Sequence, residues 1–216
     1  MTGSLLVFDL DGTLVDSSRD LASALNATFA RLRPGTAPVP LEAVVGYVGE
    51  GARLLVERSL RHAGLELPVD DVLPVYLDSY RERLLDETRL YPGVEEALET
   101  LRSPTLAVLT NKPGDMSRTI LEGLGVASRF ARIWGPEDVP ARKPDPAGLR
   151  LLLDELRAAV ERTWMVGDSA TDVKAGRAAG VKVAGVSWGF HPEALRAAGP
   201  DRVLVDPREL VSLASI

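Results

Sequence analysis

Leu5-Leu6-Val7-Phe8-Asp9-Leu10-Asp11-Gly12-Thr13-Leu14-Val15-Asp16-Ser17 is the stretch on which the reading of this chain turns. Its first four residues form a continuous apolar run that stops at a polar turn, the pattern of a strand buried on both faces of a parallel sheet. Asp9 and Asp11, at i and i+2, leave the end of that strand and project above the sheet. Taken alone, the fragment is equally an acidic loop with an Asx turn, because Asp-Gly is an ordinary turn pair.

Similar apolar runs recur at 105–109, 164–166 and 181–186. Helical patterns over Gly93 to Leu101, Met116 to Leu124, Ala147 to Leu156 and Thr171 to Ala179 lie between them. Pro92, Pro113 and Pro146 stand where a first helical turn tolerates proline, and Gly125 and Gly180 stand where helices end. This alternation predicts an α/β core. Residues 16–86 differ: Ser18 to Leu32, Gly51 to His62 and Asp71 to Leu85 read as amphipathic helices separated by Pro34-Gly35-Thr36-Ala37-Pro38 and by Gly64 to Pro68, with no strand pattern. The expected architecture is a Rossmann-like parallel sheet over 1–15 and 87–216, with a small all-helical cap, 16–86, inserted after the first strand. Such a cap covers the carboxyl ends of the strands, where open α/β sheets bind ligands.

Composition narrows the function classes. The chain has 216 residues, 45% of them hydrophobic, enough for a sizeable core. Its 25 basic residues are outnumbered by 31 acidic ones, for a net charge of −6, so no nucleic-acid partner is expected. The absence of cysteine excludes disulfides, thiolate metal sites and thiol nucleophiles, and fits a reducing cytoplasm. Met1-Thr2-Gly3-Ser4 carries no basic residue and leads into only four apolar ones, so no signal peptide is expected. No run reaches the roughly 18 apolar residues of a membrane span. A monomer or homodimer acting on a small molecule is the expectation.

Three later stretches join the first. Thr110-Asn111 offers a hydroxyl and an amide after the second strand, Lys143-Pro144-Asp145-Pro146 offers an ammonium before a helix, and Gly167-Asp168-Ser169-Ala170-Thr171-Asp172 offers two more carboxylates. Singly these read as a capping turn, a solvated lysine and a helix N-cap. Together they lie at one edge of one sheet and must converge. Like charges about 4 Å apart repel by roughly 4 kcal/mol at an effective dielectric near 20, so Asp9, Asp11 and Asp168 gathered there imply a cation. An all-oxygen ligand set points to Mg²⁺. Lys143, Thr110, Asn111 and the main chain of Leu10, Gly12 and Thr13 then face a tetrahedral anion, as phosphate binding requires.

The order Asp-x-Asp-Gly-Thr, Thr-Asn, Lys-Pro, Gly-Asp-x-x-x-Asp resembles the haloacid dehalogenase superfamily of phosphotransferases over essentially the whole chain. The resemblance implies that Asp9 attacks phosphorus to form an aspartyl-phosphate, while Asp11 protonates the leaving alkoxide and then activates water. It implies Mg²⁺ held by Asp9, the Asp11 carbonyl and Asp168, with Asp172 orienting metal waters or Lys143. A second aspartate at position 11 sets the chain apart from the dehalogenases, and a cap region without lysine sets it apart from the phosphonatases. A phosphosugar mutase or pyrophosphatase of the same superfamily is the nearest alternative. A phosphoryl-receiving signalling module is the alternative from another class.

In the cap, Gly46-Tyr47-Val48-Gly49-Glu50-Gly51-Ala52-Arg53 leads into a leucine-rich helix. It reads as an interhelical loop, and it is also similar to the cap loop of phosphoglycolate phosphatases, as are Tyr91-Pro92-Gly93-Val94 and Leu109-Thr110-Asn111-Lys112-Pro113. That resemblance implies amides from Gly51 onward against a substrate carboxylate, with Arg53 as counter-charge. Gly135-Pro136-Glu137-Asp138 departs from the family's Gly-Gly-Asp type of segment. His62 and His191 are read as distant from the motifs, Trp134, Trp164 and Trp188 as core, and Lys112 as either a substrate contact or a surface residue.

Overall fold

Alternate residues of the first strand bury to opposite sides. Leu6 and Phe8 belong to one apolar cluster, Leu5 and Val7 to another, and all four are fully buried. The coordinates are a computed structural model describing residues 3–102 and 104–214. Met1 and Thr2, the first residues of the segment in which no signal peptide is expected, lie outside the described residues.

In chain order, β1 (Gly3–Phe8) and β2 (Val15–Asp16) precede four helices, α1 (Ser18–Leu32), α2 (Leu41–Val45), α3 (Ala52–His62) and α4 (Val69–Arg81). Then come β3 (Arg89–Leu90), α5 (Val94–Thr100), β4 (Thr105–Leu109), α6 (Gly114–Gly123), β5 (Arg132–Trp134) and α7 (Ala147–Glu155). The chain continues through β6 (Ala158–Gly167), α8 (Ala170–Ala179), β7 (Lys182–Val186), α9 (Pro192–Ala198), β8 (Arg202–Leu204) and a 3₁₀ segment over Pro207–Ala214.

Six strands form one sheet in the order β5-β4-β1-β6-β7-β8, every neighbouring pair parallel. The chain runs from β1 outward to β4 and β5, then returns to β6 on the other side of β1. That reversal opens a crevice at the carboxyl end of β1, where such sheets hold ligands. Helices α7, α8 and α9 cover one face through Leu149, Leu152, Val173, Ala175 and Leu195. The other face carries α5, α6 and the final 3₁₀ segment, and its apolar cluster runs on into the helical insertion through Leu25, Phe29, Val56 and Tyr76. The fold is therefore the α/β sheet with a helical cap inserted after the first strand.

The differences from expectation have local causes. Strands β5 and β8 are the sheet's edges and expose Arg132 and Arg202, so neither shows the continuous apolar run that marks an inner strand. Helix α4 starts at Val69, directly after Pro68, and ends at Arg81, where the Arg83 guanidinium donates to the Ser79 carbonyl at 2.7 Å and satisfies a last-turn acceptor. The region 16–86 has one residue of strand: β2 pairs antiparallel with β3, Val15 opposite Leu90 and Asp16 opposite Arg89. No helix among the described residues is long and apolar enough to cross a membrane.

Buried Asp20, in α1, ties the two crossings between core and cap together. Its carboxylate accepts the main-chain N–H groups of Glu87 at 3.0 Å and Thr88 at 2.8 Å and the Thr88 hydroxyl at 2.7 Å. Asp20→Ala strands buried donors, so it should destabilise the protein by about 3 kcal/mol, read as a lowered urea midpoint at unchanged slope. A loss below about 1 kcal/mol would show that water replaces the carboxylate.

Candidate active site

The turn after β1 is wound tightly around Leu10, whose carbonyl accepts the N–H groups of Thr13, Leu14 and Val15. This winding requires positive φ at Gly12, +81°, and a Cβ there would collide with the Asp168 carboxylate. Two carboxylates leave the turn in different directions. Asp9 turns toward Lys143, whose Nζ lies 2.9 Å away, while Asp11 accepts Lys112 Nζ at 2.9 and 3.0 Å and the Ser17 hydroxyl at 2.5 Å.

Strand β6 ends in Gly167-Asp168, and Ser169 opens α8. A side chain at Gly167 would collide with Asp172, so the glycine lets that carboxylate lie against the strand end. Asp172 accepts the Ser169 hydroxyl at 2.6 Å with one oxygen and Lys143 Nζ at 2.7 Å with the other. Asp168 accepts the Phe190 N–H at 2.7 Å. Carboxylate oxygens of Asp9, Asp168 and Asp172 lie within 4.8 Å of one another, all three side chains being buried. The Asp11 carboxylate stands outside this trio.

Charge explains the electrostatics. Burial, foremost, and the nearby Asp172 raise the Asp9 carboxyl to about 6, although Lys143 pulls it down. Burial, reinforced by Asp172 and Asp9, pushes Asp168 well above the usual carboxylate range. Burial opposes the charge on Lys143, yet the Asp172 and Asp9 carboxylates outweigh it and hold its pKa above the ordinary lysine value. Three carboxylates facing one ammonium leave an excess of negative charge in a low-dielectric setting, and this oxygen-only set suits a hard divalent cation such as Mg²⁺.

Beside the trio lies a cavity floored by Asp9, Asp11, Thr110, Asn111 and Lys112 and roofed by cap residues including Val48, Gly49, Gly51, Leu55, Tyr76 and Tyr80. Asp9 belongs to both the trio and the cavity. Each hydrogen of the Asn111 amide is donated at 2.9 Å, one to the Gly49 carbonyl of the cap and one to the Lys143 carbonyl of the core. The Thr110 oxygen accepts the Lys112 N–H at 3.1 Å, which leaves its hydroxyl proton to donate.

Several expectations need correction. Arg53 does not reach the cavity: its guanidinium pairs at 2.6 Å with Asp70, with 49% of its side chain exposed, because the first turn of α3 points it toward the start of α4. The N–H groups of Gly12 and Thr13 are not free for an anion, since the turn engages them with the carbonyls of Val15 and Leu10, and the Leu10 N–H donates to Asp9. His191 is distant only in sequence, since its Nε2 lies 2.9 Å from the Val48 carbonyl of the cap. Trp164 is buried, but Trp134 and Trp188 are only partly so, and Trp188 donates to the Thr13 carbonyl at 3.1 Å. Lys112, 6% exposed, is no surface residue. The Glu137 of the departing Gly135-Pro136-Glu137-Asp138 segment accepts the Gly114 N–H, so the segment serves the start of α6. The sequence signal for Lys112 was its place directly after Thr110-Asn111.

The chain matches the haloacid dehalogenase-like hydrolase family over residues 6–186. It is 41% identical over 210 residues to the phosphoglycolate phosphatase of Rhodospirillum rubrum, covering 93% of this chain and 86% of the relative. It is 39% identical over 207 residues to the phosphoglycolate phosphatase of Agrobacterium fabrum, covering 94% of this chain and 88% of the relative. The crystal structure of a predicted phosphoglycolate phosphatase from Haemophilus somnus 129PT superposes with a TM-score of 0.92 at 30% identity, over 100% of this chain and 99% of that one.

A cation that binds the trio stabilises the folded state by mass action. At about 100 times its dissociation constant, Mg²⁺ should add about 2.7 kcal/mol and raise the melting temperature by about 5–10 °C. Because the folded Asp9 carboxyl titrates near 6 against 3.8 when free, it takes up a proton on folding between those values, and that proton competes with the cation. The Mg²⁺ increment is therefore largest above pH 6 and shrinks below it. Asp168→Asn should abolish the increment, yet melt no lower than the parent without metal, because one repelling charge is gone. A Mg²⁺ shift retained in that variant would remove the trio as the metal site.

Proposed function

The chain belongs to the haloacid dehalogenase-like hydrolases, and from that premise we propose that it is a Mg²⁺-dependent phosphomonoesterase acting on 2-phosphoglycolate through an aspartyl-phosphate at Asp9. The observation that carries the reading is the double membership of Asp9, which lies in the acidic trio and also lines the cavity that holds Asp11. An all-oxygen metal site and a nucleophile facing a substrate space are what phosphoryl transfer asks of a protein, whose contribution is mainly positioning and charge neutralisation.

In the forward step an Asp9 oxygen attacks phosphorus as the ester P–O bond breaks, and Asp11 gives a proton to the leaving alkoxide. In the second step Asp11 takes a proton from water as that water attacks the aspartyl-phosphate, freeing phosphate and restoring Asp9. Lys143 holds Asp9 in place and, with the Thr110 hydroxyl, contributes donors for the phosphoryl oxygens. Asp9, Asp168 and Asp172 would hold Mg²⁺, which supplies the positive charge that offsets the transferring group. The buried pair of Asp11 with Lys112 keeps the acid–base carboxylate apart from the metal trio, so the two aspartates of one turn serve different tasks.

The choice of 2-phosphoglycolate rests on the relatives named phosphoglycolate phosphatase and on the start of α3, where Gly51 and Ala52 line the cavity. The amides at that helix start favour an anion such as a carboxylate. Family membership removes the signalling-receiver alternative, in which a phosphorylated aspartate is the end state.

Asp9→Asn should lower turnover by at least about four orders of magnitude, as loss of a covalent nucleophile does. Excess chelator should abolish hydrolysis and Mg²⁺ should restore it; undiminished hydrolysis in chelator refutes the metal dependence. In a panel of 2-phosphoglycolate, sugar phosphates, nucleoside monophosphates and pyrophosphate, the highest kcat/KM should fall on 2-phosphoglycolate. Arg53→Ala should change that preference by less than about twofold, because an exposed ion pair contributes little.

A further inference from the structure

Tyr76 and Tyr80, on the α4 face that roofs the cavity, stack with ring centroids 6.1 Å apart and an interplanar angle of 3°. The Lys112 ammonium sits 4.5 Å from the Tyr80 ring centroid, which holds the charge against the cap in addition to its bonds to Asp11. Tyr76 is 1% exposed, and its hydroxyl has no hydrogen-bond partner within the protein. A buried, unpaired hydroxyl costs about 1–3 kcal/mol, and a phenylalanine would stack on Tyr80 without that cost. The phenol is therefore a donor in need of an acceptor, in the wall of the cavity that also holds the proposed acid–base carboxylate. The Lys112 and Asp11 charges both act on it, and burial keeps it protonated and able to donate.

The covalent structure of the substrate connects these groups. To protonate the leaving group, Asp11 must approach the ester oxygen, and in 2-phosphoglycolate the carboxyl carbon is only two bonds from that oxygen. Whatever reads the carboxylate must lie next to Asp11. Lys112 Nζ, 2.9 and 3.0 Å from the two Asp11 oxygens, meets that condition and has a third N–H to give. Arg53, turned away to Asp70, does not.

We propose that the Tyr76 hydroxyl and the Lys112 ammonium form the subsite for the substrate's carboxylate, making Tyr76 a specificity-determining residue of the cap. The subsite rests on the phosphoglycolate reading and deepens it: the same cation that pairs with Asp11 reports, through the bound carboxylate, that the leaving group is the correct one. Esters with an apolar tail leave the Tyr76 hydroxyl unpaired and are selected against for that reason.

The test compares 2-phosphoglycolate with ethyl phosphate, which differs by a methyl group in place of the carboxylate. Tyr76→Phe keeps the ring and its stack. The ratio of kcat/KM for 2-phosphoglycolate to that for ethyl phosphate should fall at least about tenfold, as loss of a charge-assisted hydrogen bond predicts, with the change in KM for 2-phosphoglycolate. Competitive inhibition by glycolate should weaken in parallel. A parent enzyme that prefers 2-phosphoglycolate while Tyr76→Phe keeps the ratio within twofold overturns the subsite alone. A parent enzyme that hydrolyses ethyl phosphate as well as 2-phosphoglycolate overturns the substrate reading and the subsite together.

Discussion

Lys143, 3% exposed, bridges Asp9 at 2.9 Å and Asp172 at 2.7 Å, and the site is arranged around that pair of contacts. A buried ammonium is tolerated only where carboxylates repay its desolvation, and buried carboxylates only where a cation does the same. Each therefore requires the other, and both require the sheet. Asp9 arrives from β1, Asp172 from the first turn of α8 after β6, and Lys143 from the long segment between β5 and α7. Parallel pairing of β1 with β6 brings the first two side by side. Asp168 is the carboxylate of the trio that Lys143 does not bridge.

The two ammonium groups divide the aspartates between them. Lys143 sits with the trio and holds Asp9, while Lys112 sits with Asp11 and faces the cap. This separation lets two aspartates two residues apart in one turn keep different partners. The turn geometry makes the division possible: a left-handed Gly12 directs Asp9 and Asp11 to opposite partners, and no other residue fits beneath Asp168.

Much of this was legible in the sequence because strand ends are abrupt. Apolar runs that stop at Asp9, Thr110 and Asp168 announce both the sheet and the functional edge, since a parallel sheet gathers its carboxyl ends. The convergence of Asp9, Asp168 and Lys143 and the cap's position followed from that one rule, whereas the rule wrongly placed the Asp11 carboxylate in the acidic group that Asp172 completes. Contacts made across the cap–core seam followed from no periodicity. Within the cap, Arg53 and Asp70 pair because two exposed helix starts meet; Tyr76 lies in a stretch read only as an amphipathic helix, and Lys112, left open between a substrate contact and a surface residue, is enclosed by Asp11 and Tyr80. His191 reaches Val48 across 143 positions of sequence, a distance at which local pattern carries no information. The amides of Gly12 and Thr13 were misjudged for the opposite reason, since short-range turn bonds consumed donors that long-range reasoning had assigned to a ligand.

Asn111 joins cap and core by giving one amide hydrogen to each, so the roof over the cavity is fastened from within the reaction chamber. A single side chain thus spans from the Gly49 loop of the cap to the Lys143 loop of the core, and a substitution at position 111 removes both bonds at once.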